Sequence, residues 1–293
     1  MKSYSYFPGC SSSSGSGIMC GMATKAVSKS LNIELIELED WNCCGSTPYG
    51  SIDNLAAICV ASRNLALAER KNFDLVTPCS SCYITLNRAN AQLKQHPQIK
   101  SKIDQALASA NLEYGCSVKV KHLAEVLLEA FQDQTFDAKV IKPLRGLNVA
   151  PYYGCQLVRP GFGFDAYEYP QSLDFMIGKL GAEAVSFPLK SRCCGGSLII
   201  SEEDIALGLI AKLLNNAKEN GAQCILTPCP LCQLNLDAYQ SKINKKFKTR
   251  FDLPIFYFTQ LIGVALGLEA KSLALEKNIV SPMKVLSSYF NTV

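Results

Sequence analysis

Hydrophobic and polar positions along the chain alternate between two periods. Ile33 to Leu38 (IELIEL) reads as a short apolar and acidic strand, whereas Ile52 to Arg70 carries apolar residues at helical spacing. Phe73-Asp74-Leu75-Val76 is again a strand candidate. The second half repeats the order, with Ala184 to Phe187 as strand, about Glu202 to Asn220 as helix, and Cys224-Ile225-Leu226 as strand. Residues 83 to about 118 are polar with a helical period and predict two helices around His96-Pro97. Strand, helix, strand in this rhythm implies parallel sheets covered by helices, an α/β class. The period weakens between Gln134 and Gly146, where breakers gather, so we expect two domains, 1–140 and 141–293.

Overlaying the halves exposes a duplication. Tyr6-Phe7-Pro8-Gly9-Cys10 answers to Tyr152-Tyr153-Gly154-Cys155, and Asn42-Cys43-Cys44-Gly45 to Arg192-Cys193-Cys194-Gly195. Thr77-Pro78-Cys79-Ser80-Ser81-Cys82 answers to Thr227-Pro228-Cys229-Pro230-Leu231-Cys232. The last four cysteines of each copy are offset by 150 residues and the first by 145, so the length change falls before the Cys-Cys pair. That interval holds Arg159-Pro160-Gly161-Phe162-Gly163, which reads as a loop. In parallel sheets ligands gather at the carboxyl ends of strands, and the motif cysteines sit in turns just after strand candidates. The glycines after each Cys-Cys pair are expected to let backbone approach a bulky ligand, and Pro78 and Pro228 to fix entry into each Cys-x-x-Cys turn.

Fourteen cysteines against two histidines, in a chain without signal-peptide character, argue for metal or redox chemistry over disulfides. Cys-x-x-Cys alone also serves zinc and thioredoxin-type sites. A structural zinc takes four ligands and would leave one of five cysteines idle in both copies; a thiol relay predicts no adjacent Cys-Cys. An iron-sulfur cluster accepts thiolates from separated segments and suits three loops better than either.

With these spacings the chain resembles the family of the heterodisulfide reductase B subunit, whose members carry the cysteine-rich CCG domain twice. The resemblance implies two pseudo-symmetric CCG domains, each a Rossmann-like parallel sheet flanked by helices. It also implies two [4Fe-4S] clusters of noncubane type. One would be held by Cys10, Cys43, Cys44, Cys79 and Cys82, the other by Cys155, Cys193, Cys194, Cys229 and Cys232. The implied activity is that of an oxidoreductase subunit reducing or forming a disulfide or thiol substrate between the domains. The alternative is a succinate or fumarate reductase subunit passing electrons to or from quinone.

The remaining features narrow the partners. A net charge of +4 with dispersed Lys and Arg gives nucleic acid no foothold, and the run Lys242, Lys245, Lys246, Lys248, Arg250 reads as a solvated helix face. The apolar stretch Ile255 to Leu268 is too short to span a bilayer. We therefore expect a cytoplasmic protein that meets the inner face of a membrane only through partners. With no ferredoxin-type cysteine run, dinucleotide fingerprint or Walker loop, electrons need a partner; the resemblance suggests a small ferredoxin-like subunit with cubane [4Fe-4S] clusters and a flavoprotein. Cys20, Cys59, Cys116 and Cys224 lie in apolar settings and read as core, Cys20 also being able to approach Cys10. His122 is expected to pack or cap a helix, and Arg159 and Arg192 to offset cluster charge.

Overall fold

The computed structural model describes residues 2–13, 17–46, 49–158 and 161–290; Arg159 and Pro160 lie outside them. The first half runs β1 (Lys2–Tyr6), α1 (Cys10–Ser13), α2 (Ile18–Ser30), β2 (Ile33–Glu37), α3 (Tyr49–Ile52), α4 (Asn54–Glu69), β3 (Leu75–Thr77), α5 (Ser80–Gln95), α6 (Pro97–Ala108), β4 (Val120–His122) and α7 (Leu123–Phe131). The second runs β5 (Asn148–Pro151), α8 (Gly154–Val158), α9 (Ser172–Lys179), β6 (Glu183–Ala184), α10 (Glu203–Glu219), β7 (Cys224–Thr227), α11 (Pro230–Ala238), α12 (Gln240–Phe247), β8 (Ile255–Tyr257), α13 (Phe258–Ala265) and α14 (Met283–Phe290).

Each half folds into a four-stranded, wholly parallel sheet, in the orders β2-β1-β3-β4 and β6-β5-β7-β8. The two topologies are identical and the halves pseudo-symmetric. Even the register agrees at the last pair, Thr77 opposite His122 and Thr227 opposite Tyr257. Central strands β3 and β7 are fully buried, as crossover helices on a parallel sheet require. Helix α4 starts on Asp53, whose carboxylate accepts from the Ala56 amide at 2.9 Å, and α6 starts on Pro97, whose missing N–H costs nothing at a first position.

The halves share one apolar core. Helix α2 of the first packs on α13 of the second, and α5 on α8. Tyr83 of α5 donates its hydroxyl hydrogen to the Phe162 carbonyl. Among the described residues no helix is long and apolar enough to cross a membrane. The basic run falls on and after α12, where Lys242 pairs with Glu203 and Lys246 with Asp204 on the surface.

One contact ties this packing to the cysteines. A Cβ on Gly21 in α2 would lie 2.3 Å from the Ser12 carbonyl oxygen, two residues past Cys10. Gly21→Ala is therefore expected to push α1 off α2 and destabilise the chain by about 1–3 kcal/mol, the usual range for overpacking. Urea unfolding followed by circular dichroism would read it as a lower midpoint.

Candidate iron-sulfur site

All ten motif cysteines stand at the carboxyl end of their sheet. Cys10 follows β1, Cys43 and Cys44 follow β2, and Cys79 and Cys82 open α5 after β3; β5, β6 and β7 do the same for Cys155, Cys193-Cys194 and Cys229-Cys232. Cys79 and Cys229 both occupy the N-cap, with φ/ψ of −116/122° and −119/118°, so each proline-cysteine step turns extended chain into helix the same way. Amides of the first turn then point at the thiols: Cys82 N–H donates to Cys79 sulfur, and the Leu231 and Cys232 amides donate to Cys229 sulfur.

The structure brings these side chains together in contacting pairs. Cys44 and Cys82 sulfurs lie 3.4 Å apart, and Cys194 and Cys232 sulfurs 3.5 Å apart. Cys43 touches Cys44, Cys79 touches Cys82, Cys229 touches Cys232, and Cys155 touches Cys193. Cys79 and Cys229 bear on each other's titration across the interface, which pushes the Cys79 thiol up and holds the Cys229 thiol down. Hydrogen bonds from Cys43 and Cys82 hold the Cys44 thiol down to about 4, and those from Cys232 and Cys79 hold Cys229 well below its ordinary value. Cys10, Cys43 and Cys193 are exposed, Cys155 half-buried and the other six buried. None of the fourteen cysteines forms a disulfide.

The surroundings suit a bulky sulfur-ligated group. Gly9 and Gly154, both at positive φ, pass so near the buried thiols that a Cβ would lie 2.9 Å from Cys82 sulfur or 3.3 Å from Cys232 sulfur. Thr77 and Thr227 place an unpartnered buried hydroxyl at the same step before each Pro-Cys. Among the described residues no three His, Cys, Asp or Glu side chains converge on one ion-sized point. The donors are spread over three loops per domain, as a multinuclear cluster accepts. Of the glycines after Cys-Cys, Gly196 passes close to a thiol, a Cβ there lying 3.4 Å from Cys194 sulfur, and the other two serve the backbone. Gly45 and Gly195 are needed for φ of +82° and +76°, and a Cβ there would meet α4 or, at 3.0 Å, the Ala206 Cα of α10, not a sulfur.

The two Cys-Cys loops are held differently. In the first domain Asn42 and Asn64 exchange backbone-to-amide hydrogen bonds of 3.0 and 2.9 Å, and Arg63 donates to the Asn42 side chain at 3.1 Å and to Asp40. In the second, Tyr152 donates to the Arg192 carbonyl at 2.7 Å and Asn235 to the Cys194 carbonyl at 2.8 Å. There Cys155 and Cys193 open, with Arg192 and Lys212, into a cleft of about 400 Å³. Of the other cysteines, Cys20, Cys116 and Cys224 are buried and Cys59 half-buried. Burial, and then Cys229 across the interface, pushes the Cys20 thiol well above its ordinary value. His122 is buried, and its Nδ1 accepts from the Ala124 amide at 3.0 Å to cap α7.

A family model for the cysteine-rich CCG domain matches residues 4–87 and again 149–237. The chain belongs to the CCG family. Within it the chain is 36% identical, over 97% of its length and 99% of the relative's, to the 8-methylmenaquinol:fumarate reductase membrane anchor subunit of Wolinella succinogenes. It is 31% identical, over 92% of its length and 91% of the relative's, to the B subunit of the ferredoxin:CoB-CoM heterodisulfide reductase of Methanosarcina mazei. A protein of Archaeoglobus profundus that is itself like the heterodisulfide reductase B subunit is also 31% identical, with 94% of each chain covered. A hypothetical protein from Helicobacter pylori shares the fold, with a TM-score of 0.79 at 17% identity, covering 96% of this CCG chain and 52% of its own.

If the five cysteines of each CCG copy act as one set, Cys44→Ala or Cys194→Ala will leave the chain soluble and remove about half of its iron and acid-labile sulfide. Iron quantitation on anaerobically purified variants checks this; full iron with an unchanged spectrum would contradict the ligand assignment.

Proposed function

We propose that this chain is the iron-sulfur redox subunit of a heterodisulfide-reductase-like complex, reducing or forming a disulfide at two noncubane [4Fe-4S] clusters. Cys10, Cys43, Cys44, Cys79 and Cys82 in residues 1–140 would hold one, and Cys155, Cys193, Cys194, Cys229 and Cys232 in residues 141–293 the other. The observation that carries this reading is the placement of both five-cysteine sets at the carboxyl ends of two sheets that share one core, with Cys79 and Cys229 bearing on each other's titration across the interface. It puts two cysteine sets back to back, and two neighbouring one-electron groups suit a bond that breaks or forms with two electrons. When bound, such clusters supply electrons and an iron site for sulfur. The protein supplies amide donors at the N-termini of α5 and α11, apolar cover over the buried thiols, and the cleft beside Cys155 and Cys193. Arg192 and Lys212 make that cleft attractive to an anionic thiol or disulfide.

A second reading has its own support. The full-length likeness to the Wolinella fumarate reductase subunit favours a role in which the same clusters exchange electrons with a quinone, the chain meeting the inner face of a membrane through partner subunits. In either case a small ferredoxin-like subunit and a flavoprotein would be the partners with which the chain exchanges electrons.

Electron paramagnetic resonance with iron quantitation on anaerobically purified protein separates the readings. About eight irons per chain and a new signal on adding thiol or disulfide are expected from the first. Full iron with oxidation by a menaquinone analogue and no response to thiols would favour the second. Stoichiometric zinc without iron would overturn both.

A further inference from the structure

Two residues at matching register positions cross the domain interface in opposite directions. Tyr257 ends β8 opposite Thr227 of its own domain, yet its fully buried hydroxyl donates to the Pro78 carbonyl of the other domain at 2.7 Å. His122 ends β4 opposite Thr77, and its ring lies 6.5 Å from that of Phe258 in the other domain, where the Pro228 carbonyl also bears on it. Because His122 Nδ1 accepts from the Ala124 amide, the neutral ring carries its proton on Nε2. That N–H faces Ser80 Oγ at 3.4 Å, and the Pro228 carbonyl is the group of the opposite domain that bears on it. Pro78 and Pro228 immediately precede Cys79 and Cys229, the two N-cap cysteines that bear on each other's titration across the interface. Proline has no amide, so each Pro-Cys step is set by its carbonyl and by the helix that follows.

We infer that Tyr257 and His122 are positioning residues that act in trans, each fixing the Thr-Pro-Cys turn of the opposite domain and thereby the separation of the two metal groups. This rests on the reading of the cysteines as cluster ligands, although the positioning itself does not need the metal. Losing either interaction frees a buried carbonyl beside Cys79 or Cys229 while leaving the mutated residue's own strand pairing intact. For Tyr257 the consequence falls on the domain that was not mutated; for His122 it adds there to the loss of its own cap on α7.

The test is amide hydrogen exchange together with paramagnetic resonance and redox titration on the full chain, comparing wild type with Tyr257→Phe and His122→Leu. Tyr257→Phe is expected to speed exchange across residues 79–84 of the first domain roughly fivefold, the loss of one ordinary hydrogen bond. In a Cys194→Ala background, which would retain only the first cluster, it should also shift that cluster's spectrum and midpoint. His122→Leu should do the same to residues 229–234 and, in a Cys44→Ala background, to the second cluster. His122→Gln, which keeps a donor, should restore much of the effect. Changes confined to the mutated domain, or none, overturn the inference. Should His122→Leu fail to fold, Tyr257→Phe, which removes a single oxygen, decides alone. A wild-type chain without iron would sink the functional reading while the exchange data still judged this one.

Discussion

The step from strand to helix at Thr-Pro-Cys is the constraint on which the rest depends. Cys79 and Cys229 each stand where an extended, fully buried strand becomes the first turn of a helix, and their backbone angles agree within a few degrees. That one geometry aims amides at the sulfur, brings the second cysteine of the pair around on the same turn, and leaves the first able to bear on its counterpart in the other domain. The sheets behind it are short, and their strands need only be long enough to deliver these ends. What would be a modest α/β sheet in each half gains its purpose from the edge where the strands stop.

Much of this was legible in the sequence because the duplication writes each element twice. The acidic-apolar alternation at Ile33 to Leu38, the helices after each Cys-Cys pair and the two helices around His96-Pro97 all fall where the patterns put them. The strands Val120–His122 and Ile255–Tyr257 left no trace, since three residues cannot display a period. The strand expected over Ala184 to Phe187 shrinks to Glu183–Ala184 at an exposed sheet edge. Ser186 and Phe187 instead lead into the turn that ends at Lys190, whose ammonium pairs with Asp174.

The cysteine set was visible from spacing, but its arrangement was not. Nothing local in the sequence says that Cys79 and Cys20 would both feel Cys229 of the other domain, because an interface between halves is encoded by neither half alone. The same blindness hid Tyr257. It looked like one more aromatic in an apolar run, and only the matched register of β4 and β8 reveals it as the counterpart of His122.

The seam also bears on what each half is by itself. With a tyrosine of one half buried against a carbonyl of the other, and α2 covered by α13, neither repeat presents a finished surface alone. The pair at 122 and 257 occupies one register position in two chemistries, histidine in one half and tyrosine in the other. The two halves are thus symmetric in backbone and unlike in what each lends its neighbour, so a change made in one copy of the repeat is not equivalent to the same change in the other.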